Sequence, residues 1–441
     1  MLEVPSSVRR FALHTRKSPS LPPSAELLSS LSALPPPSSR RLKLRVAPPA
    51  ERHLRDGHPW LYDTSITEVD GDGVPGDLAV VFDRKNRFLS VGLFDPTSPI
   101  RVRMLQSGKP ATIDAAWFSA RFLEAASRRE SLLDPGRPRT DGYRLVNGES
   151  DGFPGLVVDR YADTLVVKLY TPAWIPHLSA VLPALLSVQP AQRLVLRLNR
   201  AMVREPALLH GLQDGQILFG PPLDGPVVFS ENGLLFEADP VSGQKTGFFL
   251  DQRDNRARVE RLSRGRDVLN VFSYTGGFSV YAARGGALSV TSVDLSAPAM
   301  AGCERNFALN ASIPKAKGFS HQPVVGDAFQ ILSGMARAGK RFGLVVLDPP
   351  MFAQSKAQVE SALQAYQRLT QMGLAVLESG GTLVQASCSA RVPAEVFFSA
   401  VEQTASEARR PFRDMECTSH AVDHPAKFME SSYLKCLFAT A

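Results

Sequence analysis

The rhythm of hydrophobic and polar positions changes several times along this 441-residue chain. Leu42-Lys-Leu-Arg-Val46 alternates with period two, Leu78 to Phe82 is continuously apolar, Phe88 to Phe94 follows a polar turn, and Ile100 to Leu105 alternates again. Gly71-Asp-Gly73 and Pro75-Gly76 are turn signals between these runs, so residues 41–107 read as a small all-β, barrel-like module. Trp117, Phe118, Phe122 and Leu123 then recur at helical spacing, which predicts a helix over 114–132. Residues 141–240 are mixed. A hairpin is expected from 156–158 and 164–170, a helix over 174–186 and a strand over 193–198.

From about residue 265 strands and helices alternate. Strands are expected at 268–272, 289–293, 344–347 and 382–386, and helices at 278–284, 297–309, 328–338, 359–377 and 393–407. Alternation of this kind predicts an α/β fold with a parallel, doubly wound, Rossmann-like sheet. The chain is too long for one core. It divides into an extension over 1–40, the β module over 41–107, a central α+β unit over 108–240 and the doubly wound unit over 241–441.

Composition changes this picture only at the edges. Fifty basic against 43 acidic residues leave a net charge of +7, which favours a polyanionic partner without requiring one. No apolar run is long enough for a membrane helix, so no membrane partner is expected. Cys303, Cys388, Cys417 and Cys436 have no CxxC spacing, which argues against a metal site or a disulfide framework and for a reducing cytoplasm. Residues 1–40 are rich in Ser and Pro and carry mostly basic charge, so they read as a disordered tail or as an organelle transit peptide. Pro35-Pro-Pro37 excludes a continuous helix through them.

Four short stretches carry the chemistry: Lys245 to Arg256, Asn270-Val-Phe-Ser-Tyr-Thr-Gly-Gly-Phe278, Val345-Val-Leu-Asp-Pro-Pro350 and Ser387-Cys-Ser389. The second ends a strand in a Gly-rich turn, where backbone approaches ligand closely at the mouth of a sheet crevice. GxGxxG is missing, so the turn suits a nucleoside without phosphates. Asp294 ends the next strand, where an acid meets ribose hydroxyls; the alternative is a helix cap before Ala297. Asp327, followed by Ala328, stands where a carboxylate accepts from an adenine amino group, or again caps a helix. Asp348-Pro-Pro stiffens the loop behind a strand-end acid and aims its carboxylate at the substrate edge of the sheet.

Cys388 follows another strand running to that edge. A lone Cys is ordinarily a small buried hydrophobe. Beside Asp348, however, a thiol is what carbon methylation of a pyrimidine needs, because C5 becomes nucleophilic only after a thiolate adds to C6. Cys303, Cys417 and Cys436 read as core. The four stretches together have the layout of an S-adenosyl-L-methionine-dependent methyltransferase acting on a nucleobase.

At these residues the chain resembles the single-cysteine, PUA-domain-containing large-subunit ribosomal RNA cytosine-5 methyltransferases. Further matches are Gly57-His-Pro-Trp60, Tyr143 to Tyr161, Gly243 to Arg253, Asp423-His-Pro425 and Tyr433-Leu-Lys435. The resemblance implies a PUA domain at 41–107 and a class I methyltransferase domain. It implies that Gln252, Arg253, Asn270, Phe272 and the turn Tyr274, Thr275, Gly276, Gly277 hold the cofactor. Asp294 would meet its ribose, and Asp327 with Ala328 its adenine. Cys388 would be the nucleophile, Asp348 would bond the cytosine edge, and the partner would be ribosomal RNA. A homodimer stays open.

Met351 departs from the Lys that relatives carry after Asp-Pro-Pro, and Ala365-Tyr-Gln-Arg-Leu369 departs from a Gly-Tyr-Lys-Asp pattern. Lys356 and Arg368 stand close enough in sequence to compensate for the lost charge. Arg52, Arg55, Arg101 and Arg103 are candidates for an RNA-docking face or for a merely solvated one. Two rivals remain: methylation of a guanine nitrogen, which needs no thiol, and a non-catalytic RNA-binding assembly factor.

Overall fold

The computed structural model describes residues 25–353 and 355–441. The expectation of a disordered or transit extension therefore lies, for residues 1–24, outside the described residues. For the remainder it is corrected. Ala25–Leu31 is a helix whose Leu27 and Leu31, one turn apart, are buried against the Ile217–Phe219 strand and the Leu178–Val188 helix.

The first sheet has six strands in the order Trp60–Tyr62, Ile100–Ser107, Phe88–Phe94, Leu78–Phe82, Arg41–Val46 and Ile66–Val69. All pairings are antiparallel except Arg41–Val46 with Leu78–Phe82. The module is not purely β. Pro48–Arg55 is a helix, because prolines at its first positions have no donor to lose there and Ala50 and Leu54 face the core.

The second sheet orders Ile217–Phe219, Arg193–Leu198, Thr164–Leu169, Leu156–Tyr161 and Gly142–Asn147, and it contains the expected hairpin. The expected 114–132 helix is Ala115–Ser127, with the Asp114 side chain accepting from the Trp117 amide, followed by a 3-10 turn at Glu130–Leu132. The segment expected as one helix over 174–186 begins as a 3-10 turn, Pro172–His177, and becomes α-helical over Leu178–Val188. Pro176 supplies no amide to a regular helix at that point. One core runs beneath both sheets and joins Val91 and Leu93 of the first to Leu156 and Leu165 of the second.

A two-stranded hairpin, Val227–Glu231 with Leu234–Ala238, falls within the range assigned to the central unit and packs on both sides, its Phe229 ring lying 5.1 Å from that of Tyr161 in the second sheet. Its Phe229 and Phe236 cluster with Phe248, Val280 and Tyr281 of the third unit.

The third sheet has seven strands. From one edge they run Ser320–Val325, Ser289–Asp294, Asp267–Val271, Phe342–Leu347, Leu377–Ser387, Lys435–Thr440 and Asp414–Thr418. The first five are parallel and doubly wound, as expected, and Lys435–Thr440 is antiparallel to both neighbours. Chain order reverses direction between Asp267–Val271 and Phe342–Leu347, which pair Val271 with Leu347. A ligand crevice opens at such a switch point.

Candidate active site

Phe272 and Asp348 leave the paired strand ends side by side, and the Asp348 amide donates to the Val271 carbonyl at 3.3 Å. The turn beyond Val271 is held in sparsely populated backbone. Phe272, Tyr274 and Gly276 have φ of 60°, 47° and 76°. Left-handed geometry is costly for the two aromatic residues and is found where a site over-determines it. One tie is the Tyr274 amide, which donates to Asp294 Oδ2 at 2.8 Å. At Gly276 a Cβ would lie 2.2 Å from Cys303 Sγ, so no side chain fits there.

Asp294 is not the cap of the following helix. That role falls to Ser296, which accepts from the Ala299 amide, while Asp294 Oδ1 accepts from the Ser296 amide. Asp327 does cap its helix, through the Gln330 amide at 3.0 Å, and it lines the crevice as well.

The crevice is a cleft of about 300 Å³, within the size range of small-molecule sites. Gln252, Phe272, Tyr274, Thr275, Gly277, Asp294, Asp327, Ala328, Asp348 and Cys388 all line it. Arg253, Asn270 and Gly276 lie behind the lining. Arg253 is buried in a bidentate ion pair with Asp423, both bonds 2.9 Å. Asn270 is buried and donates to Ser279 Oγ at 2.9 Å.

Lys245 and Asp251 line the cleft although no role was read for either. Lys245 Nζ donates to Asp251 Oδ2 at 2.8 Å and sits 4.4 Å from the Phe249 ring centre. Their only signal in the sequence was the run from Gly243 to Arg253 that contains them both.

Burial raises the Asp348 carboxyl to about 7, reinforced by the nearby Asp251 charge and opposed by Lys245. Burial also pushes the Cys388 thiol up to about 11, and the Lys245 ammonium is the largest influence against it. Asp251 itself is held well below the usual carboxylate range: burial works to raise it, and the charges of Lys245, His424 and Arg144 with the Lys245 hydrogen bond together outweigh that.

The other cysteines separate. Cys303 and Cys436 are buried, as expected, but Cys417 is exposed on the edge strand Asp414–Thr418, which has a neighbour on one side only. Arg103 is buried with Asp95 at 3.7 Å, so it belongs to neither a docking nor a solvated face. Arg55 pairs with Asp83 at 2.7 Å, and Arg52 is exposed.

Residues 158–427 match the family model of S-adenosylmethionine-dependent methyltransferases. The chain belongs to that family. Residues 44–107 match a PUA-like domain. A "Ribosomal RNA large subunit methyltransferase" of Deinococcus radiodurans is 51% identical over 406 residues, covering 92% of this chain and 98% of that protein. "Ribosomal RNA large subunit methyltransferase I" of Shewanella amazonensis is 35% identical over 90% of this chain and 99% of its own length. Among solved structures, one described as a SAM-dependent methyltransferase from Streptococcus mutans matches with a TM-score of 0.74 at 24% identity, covering 90% of this chain and 100% of that one. A second, solved in complex with S-adenosylhomocysteine, has a TM-score of 0.76 at the same identity and coverage. These two speak to the fold.

The methyltransferase cleft suits its cofactor on its own evidence. Asp294 keeps acceptor capacity at the end of the second strand, and Thr275 Oγ1 and Asp251 Oδ1 are buried without a partner among the described residues. Such orphans in a cleft await a ligand. Among the described residues no His, Cys, Asp or Glu cluster could hold a metal, and no helix is long and apolar enough to cross a membrane.

Proposed function

We propose that this methyltransferase acts on C5 of a cytosine in large-subunit ribosomal RNA, in the cytoplasm, through a covalent adduct of Cys388. The observation that carries the reading is that Cys388 and Asp348 end two adjacent parallel strands and open on one cleft with the cofactor turn. A thiol placed there serves a poorly nucleophilic carbon, whereas a guanine nitrogen has no use for it. The names of the relatives support the RNA substrate.

S-adenosylmethionine supplies a methyl group on a sulfonium centre. The Cys388 thiol yields its proton to the Asp348 carboxylate, and its sulfur bonds C6 of the flipped cytosine. Asp348, whose raised pKa fits it to carry a proton near neutrality, passes that proton to the ring nitrogen N3 as the C5–C6 double bond becomes single and its electrons move to C4–C5, making an enamine. C5 would take the methyl group as its bond to the sulfonium sulfur breaks and S-adenosylhomocysteine is left, and water takes the C5 proton. The ring nitrogen returns its proton to Asp348, and the Cys388 sulfur leaves as the double bond re-forms. Gln252 holds Asp348, with its side-chain amide donating to Oδ1 at 3.0 Å. The turn from Tyr274 to Gly277 with Asp294 would hold the nucleoside part of the cofactor, and Asp327 with Ala328 its adenine edge.

The base must leave the RNA stack to reach such a cleft. Docking falls to the PUA-like module, where Arg52 and Arg55 are the exposed members of the expected set and Arg55 is paired with Asp83. Met351 is exposed directly after Pro350 of the cleft lining, and Arg368, stacked over Phe329 at 4.9 Å, lines a neighbouring surface hollow that shares Asp327 with the cleft.

The test is transfer of tritiated methyl from S-adenosylmethionine to unmodified ribosomal RNA. Label on cytosine C5 that vanishes in Cys388→Ala is expected. Label on a guanine nitrogen that survives the substitution overturns the mechanism.

A further inference from the structure

A chain of three side-chain hydrogen bonds reaches Asp348 from the far edge of the third sheet. Thr418 Oγ1, at the end of the edge strand, donates to Asn255 Oδ1 at 2.6 Å. Asn255 Nδ2 donates to Gln252 Oε1 at 2.6 Å, and Gln252 Nε2 donates to Asp348 Oδ1 at 3.0 Å. Asn255 and Gln252 are buried, three residues apart where the 3-10 turn Leu250–Gln252 runs into the helix Arg253–Leu262.

A primary amide has a donor end and an acceptor end, so its orientation is chosen by its partners. Gln252 alone can present either end to Asp348. With Asn255 donating to its oxygen, only the nitrogen can face the carboxylate. The hydroxyl of Thr418 fixes Asn255 in turn.

We propose that Asn255 is a positioning residue for the reaction: anchored by Thr418, it locks the Gln252 amide so that the Asp348 carboxylate keeps one oxygen bonded and the other directed to the cleft. This rests on the reading of Asp348 as the proton carrier of that site. Its chemical consequence is separable from activity. A donor held on the carboxylate favours the ionised form, so the chain holds the Asp348 pKa below what burial alone would give. The charged and titratable groups that also bear on Asp348 are Asp251, Lys245 and Arg256 from the segment around the helix start, Cys388 and Tyr366 on the Leu377–Ser387 side, and Cys436 of the antiparallel strand. None of them lies in the chain.

The experiment titrates Asp348 in full-length protein carrying 13C-carboxyl aspartate, the resonance being assigned by its absence in Asp348→Asn. Asn255→Leu is expected to raise the Asp348 pKa by about one unit, as is Gln252→Leu, and the double variant to rise no further. The acid limb of methyl transfer, set by the carboxylate that must accept the Cys388 proton, should move upward with it. An unmoved titration in folded Asn255→Leu, or a shift that adds to that of Gln252→Leu, overturns the proposal. Should Asn255→Leu fail to fold, Thr418→Val is expected to give a smaller shift of the same sign, and no shift overturns it. Failure of wild-type methyl transfer would strike the functional reading and leave this titration intact.

Discussion

Lys245 and Asp251 form a 2.8 Å ion pair within the cleft, and the Tyr433 hydroxyl donates to the same Asp251 oxygen at 2.9 Å. Asp251 Oδ1 is left buried without a partner among the described residues. The pair holds an ammonium near Cys388 and at the same time holds a carboxylate near it. For the thiol the Lys245 charge is the stronger of the two.

Replacing Lys245 should therefore disarm the nucleophile without touching it. Lys245→Met removes the cation and leaves the Asp251 charge to repel a thiolate. At a fixed pH near 9 the alkylation of Cys388 by iodoacetamide, read at that residue by mass spectrometry, should slow about ten-fold, equivalent to about one pKa unit. Exposed Cys417 provides the internal control. Equal rates at Cys388 in both proteins would mean that Lys245 does not bear on the thiol.

Asp348 makes a prediction about stability. Its folded-state pKa of about 7 lies above the ordinary carboxylate value, so between pH 4 and 7 the folded chain binds a proton that the unfolded chain has lost. Stability then falls as pH rises through that window, and above it the full cost of a buried charge is present. Asp348→Asn removes the cost. Its gain should be on the order of a few kcal/mol at pH 8 and near nil at pH 4, measured by urea denaturation at the two pH values. A gain independent of pH would mean that the carboxyl titrates normally.

The parts of this site that were legible were those where an apolar run stops on a polar residue. Val271 and Leu347 end strands of one parallel pair, so Phe272 and Asp348 had to emerge together at the switch point. Roles that depend on which way a side chain turns were not legible. Gln252 and Arg253 are adjacent, yet one step around a helix start is about 100°. One reaches the cleft and the other the interior. Asp294 and Asp327 look alike in sequence, and only the local backbone shows that Ser296 relieves the first of capping while the second caps its helix itself. Lys245 enters the cleft from a backbone with φ of 55°, a conformation that no hydrophobic pattern encodes. Two helices were hidden in proline-rich sequence. The Ser- and Pro-rich composition around Ala25–Leu31 hid a seven-residue helix, and Pro48-Pro49 gave no sign of one although proline at a helix start breaks nothing.

The Ala25–Leu31 helix gives a prediction of its own. Leu27 and Leu31 bring a short helix onto the central unit, and Glu26 accepts from the Gly220 amide at 3.3 Å. Seven residues do not hold a helix in water unaided, so docking and folding of the segment are one event. Leu27→Ala should cost about 2–4 kcal/mol of docking. Tryptic cleavage at the exposed Arg40 and Arg41 should then accelerate, followed by mass spectrometry under native conditions. Unchanged cleavage would mean that the helix contributes nothing to holding this segment down.

The buried pair of Arg253 and Asp423 ties the parts of the molecule together. Asp423 accepts both guanidinium bonds from Arg253, its Oδ2 also accepts from the Arg144 amide of the second sheet, and its carbonyl accepts from Arg129. Removing Arg253 alone leaves a carboxylate buried among polar groups that no longer balance it, which costs about 3–5 kcal/mol. Replacing both partners by apolar groups of similar size removes the unbalanced charge, so Arg253→Met combined with Asp423→Leu should recover much of the loss. Arg253, together with the neighbouring His424 charge, holds the Asp423 carboxyl well below its usual range against the burial that works to raise it. Its contribution is thus present above the unfolded carboxylate pKa of about 4 and lost as pH falls further, through the folded value. Urea midpoints at pH 7 should accordingly rank wild type first, the double variant second and Arg253→Met last, with the gaps closing toward pH 2. A double variant no more stable than Arg253→Met would show that the remaining bonds to Asp423, and not its ion pair, carry the connection between the two sheets.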